Sequence, residues 1–213
     1  PASDSNEGKI LTMNRDLKTL SLSLLTWALG NGLFYYLVPL YMETLGANAV
    51  QIGTLLAAYA LVQVVILIPA GVAADRWGAR PVLVTGWVVG TLATALMAGA
   101  IDLRLFAVGW VGLGASAWVV PALTSYITRA RGALTPERAL TLVFAFYSAG
   151  MVVSPLLGGL VAEQFGTRVT FWLATLVFVV STVVTWCLRP QAPPPLAPGR
   201  RYAGLLRNRE GEW

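Results

Sequence analysis

Apolar positions along this chain fall in long blocks rather than in the alternation of a strand or the stripe of a surface helix. Six blocks stand out, at roughly 19–42, 50–71, 81–101, 104–127, 138–162 and 168–188. Each is close to the ~20 mostly apolar residues that an α-helix needs to cross a bilayer. Gly, Pro and charged residues punctuate the short gaps, which predicts that successive helices are antiparallel neighbours. The predicted fold class is an all-α membrane protein. A six-helix transmembrane domain occupies 19–189, a cytoplasmic segment 1–18 precedes it, and a cytoplasmic linker 190–213 follows.

Composition supports lipid as the solvent. Hydrophobic residues make up 56% of the 213 positions and charged residues 12%, against about a quarter charged in soluble domains. The net charge of +5 would suit nucleic acid, but its distribution points to membrane topology instead. Thirteen Lys and Arg residues fall on the side that would hold both termini, and only Arg104 and Arg168 on the other. That asymmetry predicts cytoplasmic termini, with a bacterial cytoplasmic membrane as the expected location. Residues 1–18 mix both charge signs and do not resemble a signal peptide, and Met13 is the candidate original start, because Pro1 is not an initiator.

Catalytic chemistry finds little to work with. There is no histidine, and the one cysteine, Cys187, ends an apolar block. Neither a transition-metal site nor an intrachain disulfide is expected. No phosphate-cradling glycine loop is present, and both lysines, Lys9 and Lys18, precede the first span. The expectation is therefore no enzyme, no cofactor, no metal and no nucleic-acid partner.

A repeat lies inside the chain. The segment Gly71-Val-Ala-Ala-Asp75-Arg76-Trp77-Gly78-Ala79-Arg80 returns 88 residues later as Gly159-Leu-Val-Ala-Glu163-Gln164-Phe165-Gly166-Thr167-Arg168. Tyr59 and Tyr147 keep the same offset. Each unit would hold three spans, so the second unit would be inverted relative to the first.

The first copy, Gly71-x-x-x-Asp75-Arg76-x-Gly78-x-Arg80, resembles the signature loop between helices 2 and 3 of the major facilitator superfamily. The run Gly150-Met-Val-Val-Ser154-Pro155-Leu-Leu-Gly158-Gly159 resembles that family's helix-5 motif, with Ser154 in place of a glycine. The likeness covers about 14–190 and implies the N-terminal half of a twelve-helix fold, built as two inverted three-helix repeats. It implies transport by alternating access, with a C-terminal six-helix half or a second copy as partner, a small-molecule substrate, and the lipid bilayer as surroundings. Tyr202 to Glu210 looks like the approach to a seventh helix. Gly71, Asp75, Arg76, Gly78 and Arg80 would form a cytoplasmic gating loop. Gly150, Ser154, Pro155, Gly158 and Gly159 would form a packing hinge of the kind linked with exporters. Two departures count against proton antiport by this half. No arginine lies among Val108, Gly109, Trp110 and Val111, just before Gly112-Leu-Gly114, and the first span carries Asn31 where many members carry an acid.

The resemblance implies a central substrate cavity lined largely by helices 1 and 4 of this half, and helical spacing with the cost of an amide in lipid picks out candidates for its wall. Its candidate residues are Trp27, Asn31, Tyr35, Tyr59, Gln63 and Trp118. No ionisable side chain lies in the middle of a span, so an amphipathic or drug-like solute suits this wall better than a strongly charged one. The alternatives are a half-size transporter acting as a dimer and a non-transporting membrane sensor or assembly factor. The tail, with Pro193-Pro194-Pro195 and Arg200-Arg201, reads as a linker with an amphipathic piece at Tyr202, Leu205 and Leu206.

Overall fold

A computed structural model describes residues 13–191. The expectations for residues 1–12 and for the tail from 192 onward lie outside the described residues. In chain order the elements are α1 (Arg15–Phe34), a 3₁₀ turn (Tyr35–Leu37), α2 (Val38–Thr44), α3 (Ala49–Trp77), α4 (Ala79–Ala98), α5 (Leu103–Ala115), a 3₁₀ turn (Ser116–Trp118), α6 (Val119–Ala130), α7 (Pro136–Phe165) and α8 (Thr167–Trp186). No strand occurs among the described residues.

Among the described residues, five helical runs are long and apolar enough to cross a membrane: Ala49–Trp77, Ala79–Ala98, Leu103–Ala130, Pro136–Phe165 and Thr167–Trp186. The first predicted block, 19–42, lies within α1, the 3₁₀ turn and α2, and falls short by this measure. Thr19, Ser21, Ser23, Thr26 and Asn31 dilute its apolar character.

Local chemistry sets the starts of the long helices. Asn48 and Gln51 form a reciprocal capping box at the head of α3, each side chain accepting from the other's backbone N–H at 2.9 Å. Asp102 accepts from Leu105 N at 2.8 Å and starts α5. Pro136 occupies the first turn of α7, where its missing N–H costs nothing.

The ends differ from the sequence expectation. The segment 71–80 is not a loop. Helix α3 continues through it to Trp77, a single residue, Gly78, makes the turn, and Ala79 already begins α4. Likewise α7 continues to Phe165 and turns at Gly166. Nothing in Val72-Ala73-Ala74 or Val161-Ala162 breaks a helix, so the helix stops only where a glycine accepts φ +85° or +88°. Those dihedrals, with ψ of 162° and 153°, belong to a region that is essentially open only to glycine. Both long helices also pass unbroken through an internal proline, Pro69 and Pro155.

Packing follows a crossed pattern. α1 lies against α7 and α8, α5 lies against α3 and α4, and α4 pairs with α8. One core layer gathers Leu20, Leu83, Trp87, Tyr126 and Ile127. The other gathers Phe34, Met97, Phe106, Phe171 and Phe178. Between α1, α4 and α8 runs a buried line of hydroxyls. Ser181 Oγ donates to Ser23 O at 2.7 Å and accepts from Trp87 Nε1 at 2.8 Å, and Thr91 and Thr182 meet at 2.8 Å. Such contacts supply interhelical adhesion where lipid offers no hydrophobic drive between helices.

Burial is uneven. Half of the most apolar stretch of α4 is buried, against 6% of that of α3 and 17% of that of α7.

Candidate functional site

A cavity of about 290 Å³ opens between α1, α3, α7 and the 3₁₀ kink that joins α5 to α6. Trp27, Asn31, Tyr59, Gln63, Phe144 and Tyr147 contribute to its wall. A second lobe of about 300 Å³ shares Asn31, Tyr59, Gln63 and Tyr147 and adds Tyr35 and Met151. Five of the side chains expected to line a cavity are thus brought together from three elements, α1, the following 3₁₀ turn and α3.

The sixth, Trp118, is placed differently. Its indole N–H donates to Val82 O at 3.1 Å, its ring packs against the first core layer, and Ala117 and Val119 take the cavity positions beside it. The helical spacing that made Trp118 a candidate assumed a continuous α-helix. The 3₁₀ turn at Ser116–Trp118 changes the rotation per residue there.

Several rings of the wall are held from behind. Tyr59 stacks on Trp110 with centroids 4.2 Å apart, and the Trp110 indole N–H donates to Leu55 O at 3.1 Å. Trp27 stacks on Phe178 at 4.0 Å and leans on Trp87 at 5.1 Å. The wall is therefore pre-formed. Sequence reasoning missed Tyr147, Phe144 and Met151 as wall residues. The available signal was the offset of 88 that pairs Tyr147 with Tyr59.

The α7 motif is a packing face. Gly150, Ser154 and Gly158 recur every fourth residue and are all buried against α1. A Cβ on Gly150 would press on Ala28 and Leu25 O, and one on Gly158 would overlap the Leu33 carbonyl. Ser154 fits because α1 offers Gly32 opposite it, where a Cβ would overlap the Ser154 hydroxyl. The Ser154 hydroxyl is a donor to Gly150 O, at 2.7 Å, and lies 3.3 Å from Ala28 O. Pro155 flanks Gly32 at the same contact. Gly159 points away from this face, with nothing near its Cβ position.

The α3–α4 junction divides its residues into two sets. Gly78 makes the turn, while Gly71 lies inside α3 with open space around it. Asp75 and Arg76 are exposed and engage no partner among the described residues. Arg80 instead reaches across to the far end of α8, donating from Nε to Leu188 O at 2.6 Å and from Nη2 to Trp186 O at 2.9 Å. Arg168, at the start of α8, donates to Ala100 O just past the end of α4. Each arginine so satisfies carbonyls that a helix end leaves orphaned, at the negative pole of the dipole. Together they tie α4 and α8 as an antiparallel pair.

A bundle of long apolar helices around an aromatic, weakly polar cavity defines an integral membrane protein. Residues 20–208 match the Major Facilitator Superfamily, and the chain belongs to that family. It is 25% identical over 184 residues to an MFS-type transporter of Methanocaldococcus jannaschii, covering 82% of this chain and 45% of the relative. It is 27% identical over 158 residues to Multidrug resistance protein 2 of Bacillus subtilis, covering 74% and 39%. It is 27% identical over 177 residues to Quinolone resistance protein NorA of Staphylococcus aureus, covering 81% and 45%. The fold is similar to that of the POT family transporter PepTSo, with a TM-score of 0.74 at 15% identity over 92% of this chain and 42% of that one. It is also similar to the human organic anion transporter MFSD10, with a TM-score of 0.70 at 19% identity over 90% and 52%. The chain spans about half the length of the relatives it matches.

Proposed function

We propose that this chain is the N-terminal six-span unit of a secondary transporter that exports small amphipathic compounds by alternating access. The observation that carries the reading is the wall formed by Trp27, Asn31, Tyr35, Tyr59, Gln63 and Tyr147. It is concave, aromatic and weakly polar, and its polar tips have no hydrogen-bond partner among the described residues. A drug-sized amphipath needs such a surface, mostly apolar with a few placed polar groups. The names of the Bacillus and Staphylococcus relatives, a multidrug and a quinolone resistance protein, favour export.

In this reading the run Arg15–Thr44 is the first span and joins the five longer ones. Two inverted units of three spans make up the bundle. The matched glycine turns at Gly78 and Gly166 and the exchanged arginine ties support that symmetry, as does the crossed packing of α1 and α5. Both termini face the cytoplasm, with Asp75 and Arg76 at that surface. A second six-span unit, from the same gene product or from another copy, closes the cavity against the thinly covered faces of α3 and α7. Asp75 and Arg76 then grip that unit and release it as the transporter rocks. Arg80 stays engaged within its own unit. Gly150, Ser154 and Gly158 keep α1 and α7 in close register, and Pro155 and Gly159 leave α7 able to bend beside them.

The test is flux. The full-length gene product in sealed proteoliposomes should move a lipophilic dye down its gradient, and a Trp27→Ala, Tyr59→Ala double variant should lose most of that flux while inserting normally. Folded, inserted protein that moves no dye in either direction would instead favour the non-transporting reading.

A further inference from the structure

Asn31, Gln63, Tyr35, Tyr59 and Tyr147 surround the second lobe of the cavity. None of their amide or phenol groups hydrogen-bonds to another described residue. These tips open onto the cavity, whereas the fully buried polar groups of the bundle are paired, with one exception. Trp87, Trp110 and Trp118 each donate from the indole to a named oxygen. The interhelical serines and threonines also pair, and Gln191 Oε1 is the sole buried side-chain polar atom without a partner among the described residues. Polar groups inside a membrane bundle are kept only where something satisfies them.

The composition of the lobe is specific. Two amides offer donors and acceptors together, and the phenols offer an O–H and an oxygen each. The lobe holds no carboxylate and no basic side chain. A strongly charged group would therefore enter without a counter-charge, at high desolvation cost. An uncharged group that both donates and accepts would be matched on every side. Tyr59 and Tyr147 occupy equivalent positions in the two copies of the repeat, so two phenols reach the lobe from different helices, α3 and α7. The adjoining lobe adds apolar surface from Phe144, Leu113, Val119 and Val120 beside Trp27.

We propose that this lobe is a subsite for the uncharged hydrogen-bonding part of the solute, an amide, hydroxyl or carbonyl, while the apolar part lies along Trp27 and Phe144. The subsite rests on the transport reading above and narrows its substrate class. Cations that lack hydrogen-bonding groups gain nothing from it.

The experiment uses the full-length gene product in detergent for binding and in proteoliposomes for flux. The probes are radiolabelled chloramphenicol, uncharged with an amide and hydroxyls, and tetraphenylphosphonium, a cation with no hydrogen-bonding group. Tyr59→Phe and Tyr147→Phe each remove one hydroxyl and keep the ring. Each should weaken chloramphenicol binding about three- to tenfold, the loss of one hydrogen bond. Tetraphenylphosphonium should change by less than about twofold. Tyr36→Phe, an exposed phenol outside the lobe, should move neither probe. An unchanged thermal midpoint shows that the variants are folded, and Gln63→Leu provides an independent removal of polar groups from the same lobe. Equal losses for both probes, indifference of chloramphenicol to all three changes, or no chloramphenicol binding by the unaltered protein overturns the subsite. Tetraphenylphosphonium flux alongside any of those results leaves the transport reading standing. Hydroxyl-dependent chloramphenicol binding with no flux of either probe upholds the subsite and overturns transport.

Discussion

The two helix–glycine–helix junctions, 71–80 and 159–168, are locally alike and globally unlike. Each ends a long helix at a glycine of nearly the same dihedrals, and each sends an arginine from the next helix to the far end of the opposite one. The helices that lead into them are treated differently by the rest of the molecule. α7 is pressed onto α1 through Gly150, Ser154 and Gly158, whereas the corresponding positions of α3 are Val62, Ile66 and Ala70, and α3 meets α5 instead where Gly114 lies against the Tyr59 backbone. Local sequence therefore sets how a helix ends. Which small residues meet a neighbour is decided by the neighbour.

The largest break in that comparison should come from Gly158→Leu. The new side chain has to displace the Leu33 backbone, and overpacking against rigid groups costs about 3 kcal/mol or more. Loss of monodisperse protein on size-exclusion chromatography would show it.

Gly78→Ala and Gly166→Ala come next. Both positions need a positive φ that Ala resists, at about 1–3 kcal/mol each. Thermal unfolding in detergent should fall by similar amounts for the two. Markedly unequal falls would mean that the junctions are not equivalent.

Arg80→Ala and Arg168→Ala should each cost about 1–2 kcal/mol through orphaned carbonyls at a helix end. Arg80 makes two such contacts and should be the more costly. Exchange of the amides at the end of α8 would rise for Arg80→Ala, and of those at the end of α4 for Arg168→Ala. Asp75→Asn, by contrast, should leave the thermal midpoint within the scatter of a surface change, about 0.5 kcal/mol, yet slow flux in proteoliposomes.

The smallest effects belong to Gly71→Ala and Gly159→Ala. Both sites have open space at the Cβ position and ordinary helical backbone, so Ala should be neutral or should stabilise by up to about 1 kcal/mol. A drop in thermal midpoint at either site would show an unsuspected close approach there.

Reading the chain as sequence captured more of the long helices than of the site. The blocks that became α3, α4, α7 and α8 were legible because lipid demands uninterrupted apolar runs. The ends of α3 and α7 were set too early, because the small residues before Gly78 and Gly166 looked like a loop and are good helix formers. Asn31 and Gln63 were legible as cavity candidates because an amide facing lipid is costly. The placement of Trp118 was not legible, since no residue pattern announced the 3₁₀ turn at whose end its indole N–H meets Val82 O. Tyr147 had been noticed only as a repeat mate.

The sequence by itself determined the membrane setting and the approximate positions of the long apolar helices, because both follow from hydropathy along one chain. Only the tertiary structure decided the rest. It assigned Arg80 to the carbonyls of α8, matched Ser154 to Gly32, and gathered five polar tips with no hydrogen-bond partner among the described residues around one cavity. The physical reason is that a hydrogen bond or a close contact depends on which helices become neighbours. Hydropathy, nearly the same for every one of these helices, carries little of that information.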